Sequence, residues 1–262
     1  MDGISLHYYT LPYDWAKKGS ATGFNEKEWY MTLSKTLFME ELVTKHSAII
    51  ERFDPDHNIA LIVDEWGTWY DVEEGTNPGF LYQQNTMRDA LVAAINLNIF
   101  NKHCDRVKMA NIAQLVNVLQ AVILTEGDQM IKTPTYFVFN MYKHHQNGTL
   151  IESFVDTKMI GEEEEYQVPN LHESVSKDQN GKYHITLANL SCSEDYEVCA
   201  DLLGNGIKSA KAQILAGKMD DKNTFEYPNC VNISAFEALN INEDRITFTI
   251  PKNSVMHIEV EL

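Results

Sequence analysis

Asp64-Glu65-Trp66-Gly67-Thr68-Trp69-Tyr70 sets two adjacent carboxylates and two indoles directly after the apolar run Ile59-Ala60-Leu61-Ile62-Val63. A run without polar alternation is how a strand buried on both faces reads, as in a parallel sheet. A carboxylate between such a strand and two tryptophans is costly to desolvate unless it is paired or hydrogen-bonded. By default a strand-end glutamate pairs with a nearby Lys or Arg, or caps a helix. Flat aromatic faces beside a carboxylate also suit a sugar ring, whose C–H face stacks while its hydroxyls hydrogen-bond. Side chains alternate along a strand. One of the two acids is therefore expected to face a pocket, Glu65, with Asp64 turned away.

Two further strand ends carry polar groups. Ile4-Ser5-Leu6-His7-Tyr8-Tyr9 brings His7 and Tyr9 to the first. Val107-Lys108-Met109-Ala110-Asn111-Ile112-Ala113 brings Asn111 and Gln114 to the third. Each has an ordinary reading: a satisfied histidine, a half-buried aromatic, an amide serving exposed strand-end groups. In parallel α/β sheets, however, function collects at the carboxyl ends of strands. His144-His145 would face apart in a helix, and no H-x-x-x-H or H-x-H spacing occurs, so no metal site is expected. There is no G-x-S-x-G elbow, Walker loop or G-x-G-x-x-G, and no cofactor is expected. Cys104, Cys192, Cys199 and Cys230 form no C-x-x-C and are expected as buried, reduced thiols.

The elements that must position these residues change character near residue 150. Before it, strands alternate with helices expected over Glu26 to Arg52, over Gln84 to His103, and from Pro134 through Tyr142. Strand, helix, strand, helix, strand, helix implies parallel strands with right-handed crossovers, in too few units to close a barrel. After it, alternating runs such as Arg245-Ile246-Thr247-Phe248-Thr249-Ile250 and Val255-Met256-His257-Ile258-Glu259-Val260 suggest an antiparallel sandwich of about eight strands. The acidic run Glu162 to Glu165 reads as a solvated loop. The division falls as residues 1–148 and 149–262.

Acidic residues outnumber basic ones 38 to 21, a formal charge of −17 over 262 residues, which repels phosphate backbones and anionic membrane surfaces. No nucleic-acid or membrane partner is expected. The 44% hydrophobic content suffices for a packed core. No signal peptide is visible at Met1-Asp2-Gly3-Ile4-Ser5; localisation stays open, since an export signal could lie upstream.

Ser5-Leu6-His7-Tyr8-Tyr9, Val63-Asp64-Glu65-Trp66-Gly67-Thr68-Trp69-Tyr70, and Asp105 through Val118 resemble, in order and spacing, the α-L-arabinofuranosidases of glycoside hydrolase family 51. The resemblance implies the last three strands, six to eight, of a (β/α)8 TIM barrel followed by a jelly-roll-like β-sandwich. It implies an exo-acting, retaining hydrolase that removes terminal arabinofuranose from arabinan, arabinoxylan or their oligosaccharides. Glu65 matches the nucleophile. His7, Tyr9, Trp69 and Gln114 match pocket residues, with Tyr9 placed to hydrogen-bond the nucleophile. Many members carry Asn where this chain has Gly67. The family's acid/base glutamate follows an asparagine at the end of strand four, which has no counterpart here. Asn25-Glu26 and Asn242-Glu243 follow no buried strand in the right order, so the fragment alone is expected to be inactive. Relatives are often homo-oligomeric, though no residue here sets a number. Two other readings stay open: a carbohydrate-binding or assembly module working through the sandwich, and another retaining barrel glycosidase of xylanase or β-glucosidase type.

Overall fold

The computed structural model describes residues 1–262. Three strands, β1 (Gly3–Thr10), β2 (Ala60–Thr68) and β3 (Val107–Ile112), form a parallel sheet in that order. α1 (Glu26–Glu51) and α2 (Met87–Lys102) make the crossovers. Each begins with a capping box: Asn25 with Glu28, and Thr86 with Asp89. Asn25 and Glu26 thus belong to a helix start, and Asn242-Glu243 sits where a short edge strand turns, as their sequence context suggested. β2 is longer than its apolar run predicts, because Glu65 to Thr68 stay paired to β1.

A hairpin of β4 (Ile123–Glu126) and β5 (Gln129–Lys132) precedes α3 (Pro134–Tyr142). The remaining strands are short: β6 (Thr149–Ile151), β7 (Met159–Ile160), β8 (Val168–Pro169), β9 (Leu171–Lys177), β10 (Tyr183–Asn189), β11 (Tyr196–Asp201), β12 (Ser209–Ala216), β13 (Ser234–Phe236), β14 (Asn240–Asn242), β15 (Arg245–Ile250) and β16 (Ser254–Glu261). Nine of them build a six-stranded sheet, β13-β12-β16-β10-β9-β6, facing a three-stranded one, β11-β15-β14, while β7 and β8 pair with each other. Leu187, Ile214, Ile246, Phe248 and Ile258 fill the space between them. The chain is therefore three open parallel βα units followed by an antiparallel sandwich, with no closed barrel.

The larger core does not stop at the change of texture. Trp29, Leu33, Val63, Trp66, Leu91 and Ile95 pack in one cluster with Ala188, Leu190, Leu215 and Val255 of the sandwich half. Polar contacts cross as well: Trp29 Nε1 donates to the Leu190 carbonyl at 3.0 Å, and Lys102 pairs with Glu173 at 2.8 Å. The four cysteines are unpaired, but Cys104, Cys199 and Cys230 are exposed rather than buried. Cys199 takes an outward position because its neighbours Val198 and Ala200 take the inward ones. Within the acidic run Glu163 pairs with Lys27 of α1 at 2.8 Å. No helix is long and apolar enough to cross a membrane.

Candidate active site

Ser5, His7 and Tyr9 lie at alternate positions of β1, so they share one face. Tyr8, between them, faces α1, where its hydroxyl donates to the Lys35 carbonyl at 2.7 Å and its ring meets Phe38. On the site face the Tyr9 hydroxyl donates to Glu65 Oε1. His7 Nδ1 faces Glu65 Oε2 at 3.2 Å. Both carboxylate oxygens of Glu65 are therefore engaged from β1. Burial, and then the bond to Glu65, raises the pKa of the Tyr9 phenol, so Tyr9 stays a donor.

The expectation that Asp64 turns away is overturned. His7 Nε2 lies 3.0 Å from Asp64 Oδ1, and the Ser5 hydroxyl donates to the same oxygen at 2.7 Å. A bulge in β2 is the cause. Between the pairs Ser5↔Ile62 and His7↔Glu65, β2 advances one residue more than β1. The same excess appears against β3 between Val63↔Ala110 and Trp66↔Ile112. One inserted residue re-aims the side chains next to it and breaks the alternation locally. The hydrogen bond from Ser5 is the main reason that the Asp64 carboxyl is held below its ordinary range. Nothing in the run of residue types announces the bulge.

The two tryptophans after Glu65 part company. Trp66 is wholly buried, edge-on to Phe100 and stacked on Phe139. Trp69 is in the site: its ring lies 4.9 Å from that of Tyr9, edge to face. Trp15, in the loop after β1, meets Trp69 edge to face at 5.4 Å and is 60% exposed. Trp15 was not among the sequence candidates; a third tryptophan in a strand-end loop was the available signal. Gln114 follows Ala113, whose N–H donates to the Trp66 carbonyl at 2.8 Å, so it too reaches the carboxyl end of β2. It stands apart from the His7–Glu65–Tyr9 cluster, lining a cleft of about 760 Å³ with Phe80, Leu81, Tyr82, Asn117 and Phe225.

A buried network fixes where β2 ends. The Gln120 side chain accepts from the Thr68 N–H at 2.9 Å and donates to the Asp89 carbonyl at 2.8 Å and to Thr135 at 3.1 Å. The Thr68 hydroxyl donates to Asp89 at 2.7 Å. Gly67, at φ +146°, packs so close to Gln120 that a Cβ there would lie 3.2 Å from the Gln120 Cβ and from the Ala113 carbonyl. A glycine rather than an asparagine suits this tight approach.

The site has a carboxylate held by a phenol and an imidazole, a second carboxylate behind the imidazole, and an aromatic wall. Comparison with known proteins gives the chain a family. Residues 64–254 match the model of the α-L-arabinofuranosidase C-terminal domain. The crystal structure of a GH51 arabinofuranosidase from Xanthomonas axonopodis pv. citri superposes on the whole chain with a TM-score of 0.97 at 45% identity. The chain belongs to the α-L-arabinofuranosidases of family 51. An intracellular exo-α-L-arabinofuranosidase of Bacteroides ovatus is 44% identical to this family-51 chain over all 262 residues. An arabinose complex of the Thermotoga maritima α-L-arabinofuranosidase superposes with a TM-score of 0.80 at 26% identity. The chain spans about half the length of these relatives: 51% of the Bacteroides protein and 53% of the Xanthomonas and Thermotoga chains.

Proposed function

We propose that these residues are the C-terminal part of a retaining, exo-acting α-L-arabinofuranosidase. Glu65 is the nucleophile, and the substrates are terminal arabinofuranosyl groups of arabinan, arabinoxylan or their oligosaccharides. The observation that carries the reading is Glu65 at the carboxyl end of β2, its two oxygens held by Tyr9 and His7 beside the face of Trp69. Glu65 attacks the anomeric carbon and forms a glycosyl ester, which water then hydrolyses. Tyr9 and His7 orient the carboxylate for attack and stabilise it again when it leaves the sugar. Trp69, with Trp15 behind it, walls the pocket, and Gln114 meets the sugar from the side of β3.

Retention needs a second carboxyl group about 5 Å away that holds a proton for the leaving oxygen. Asp64 does not suit that role: it is bound by Ser5 and His7 and its acidity is strengthened. The general acid is then supplied from outside residues 1–262, and these residues alone do not turn over substrate. The open edges of β1 and β3, each paired on one side, support a larger sheet in the working enzyme. In this reading residues 1–148 are barrel and residues 149–262 the accessory sandwich.

The test uses the full-length protein. Release of nitrophenol from an aryl α-L-arabinofuranoside is expected to vanish in Glu65→Ala, and a fluorinated aryl furanoside is expected to label Glu65 covalently. Labelling of another residue, or near-normal turnover by Glu65→Ala, would overturn the assignment.

A further inference from the structure

The bulge in β2 creates an arrangement for which nucleophile positioning by Tyr9 and His7 alone gives no reason. The imidazole of His7 stands between two carboxylates, with Nε2 3.0 Å from Asp64 Oδ1 and Nδ1 3.2 Å from Glu65 Oε2. A neutral imidazole has one N–H and one lone pair. Between two ionised carboxylates, a neutral ring would aim that lone pair at one of them, whichever tautomer it chose. The imidazolium donates from both nitrogens and makes both contacts charge-assisted hydrogen bonds, the stronger kind. Asp64 is itself held in place by the Ser5 hydroxyl at 2.7 Å, from the same face of β1. The titratable groups on the ring are these two acids, with Tyr9 beyond Glu65.

We propose that Asp64 is a positioning residue that keeps His7 doubly protonated, so that one N–H is permanently fixed on the nucleophile Glu65. The proposal rests on the reading of Glu65 as nucleophile for its catalytic meaning, but the state of the His7 ring is a property of these residues whatever they catalyse. With Asp64 neutralised, one of the two charges that hold the second proton is gone. The single N–H of the neutral ring then faces Glu65 only as a weaker, uncharged donor, and the ring is no longer anchored to a charge through Nε2. The consequence falls on the chemical step, because the ring does not touch the remote parts of the sugar chain.

The first measurement is made on the 262-residue chain, uniformly labelled with nitrogen-15, at pH 7. His7 ring resonances are assigned by their loss in His7→Gln. Both ring nitrogens are expected at imidazolium positions in the unmodified chain and in Asp64→Glu, which restores the charge. They are expected to split into the two unlike shifts of a neutral ring in Asp64→Asn and Asp64→Ala. A neutral His7 in the unmodified chain, or an imidazolium that survives both neutral replacements, overturns the proposal. In the full-length protein, Asp64→Asn is expected to lower kcat by about 10²-fold, the scale of a small misplacement of a reacting group, with KM little changed. Unchanged kcat overturns the positioning role. If the unmodified full-length protein releases no arabinose, the reading of function fails, while the ring spectrum still decides the state of His7.

Discussion

Tyr9 serves two neighbours with two parts of one side chain. Its hydroxyl is spent on Glu65 and its ring edge on Trp69. Tyr9→Phe separates them, because it keeps the ring and removes the donor. A hydrogen bond to a charged group is worth about 1.5–3 kcal/mol, or roughly 10- to 150-fold in rate. The expected outcome in the full-length protein is a fall of kcat/KM within that range, with Trp69 undisturbed; steady-state kinetics on an aryl arabinofuranoside checks it. Unchanged kinetics would mean that Glu65 needs no donor at Oε1. At this scale the sequence was partly readable. His7, Tyr9 and Glu65 stand at strand ends where alternation and an apolar run point to them. Asp64 was misassigned because alternation fails at a bulge, and a bulge is a matter of register between strands that a single strand's residues do not encode.

One level up, α2, β2 and the segment before α3 are joined by Gln120, a side chain that looks like any loop amide in the sequence. Gln120 is wholly buried and satisfies the backbone N–H of Thr68, one residue before Trp69. It also reaches the Asp89 carbonyl in the first turn of α2, and Thr135 in the first turn of α3. Gln120→Ala leaves the Thr68 N–H buried without a partner, takes one of two partners from the Thr135 hydroxyl, and opens a void beside Gly67. Stranding a buried polar group costs about 1–3 kcal/mol. The expected loss is about 2–4 kcal/mol in total, read from the urea midpoint of the 262-residue chain. A loss under about 1 kcal/mol would show that water or a shifted Thr135 replaces the amide. The helices and strands themselves were legible, because their capping residues and hydrophobic periods are local. Gln120 was not, because its partners lie 15 to 52 residues away in sequence.

Across the whole molecule, the turn after α3 closes on the sandwich through histidines drawn from three places in the chain. His144 stacks on His257 at 4.6 Å and on His184 at 5.2 Å, and His184 Nδ1 lies 3.1 Å from His257 Nε2. His145 turns the other way, between Ser176 and Thr186. The adjacent pair was visible in the sequence, but its partners depend on the register of β10 against β16. Burial is the main cause that lowers these rings: His257 to about 3, His145 to about 4, and His144 in the same direction. Lys143 on the turn adds to the repulsion, while Asp178 and Glu259 oppose it. An unfolded histidine takes its proton near pH 6.5. Between that pH and about 4 the unfolded chain therefore binds protons that the folded chain refuses, and stability falls as pH falls. His172, half-buried and lowered to about 3 by desolvation, adds the same sign. His103, raised by its bond to Glu40, and Asp89, raised by burial, have the opposite sign. Carboxylates held low, such as Asp54 at about 2, join the destabilisation only below about pH 4. The urea midpoint is thus expected to drop between pH 7 and pH 4.5. The drop should be smaller in His257→Gln, which removes the ring that both others stack on, and unchanged in His46→Gln, exposed on α1. Equal drops in all three chains would place the acid sensitivity outside this cluster and leave the stacked rings as packing alone.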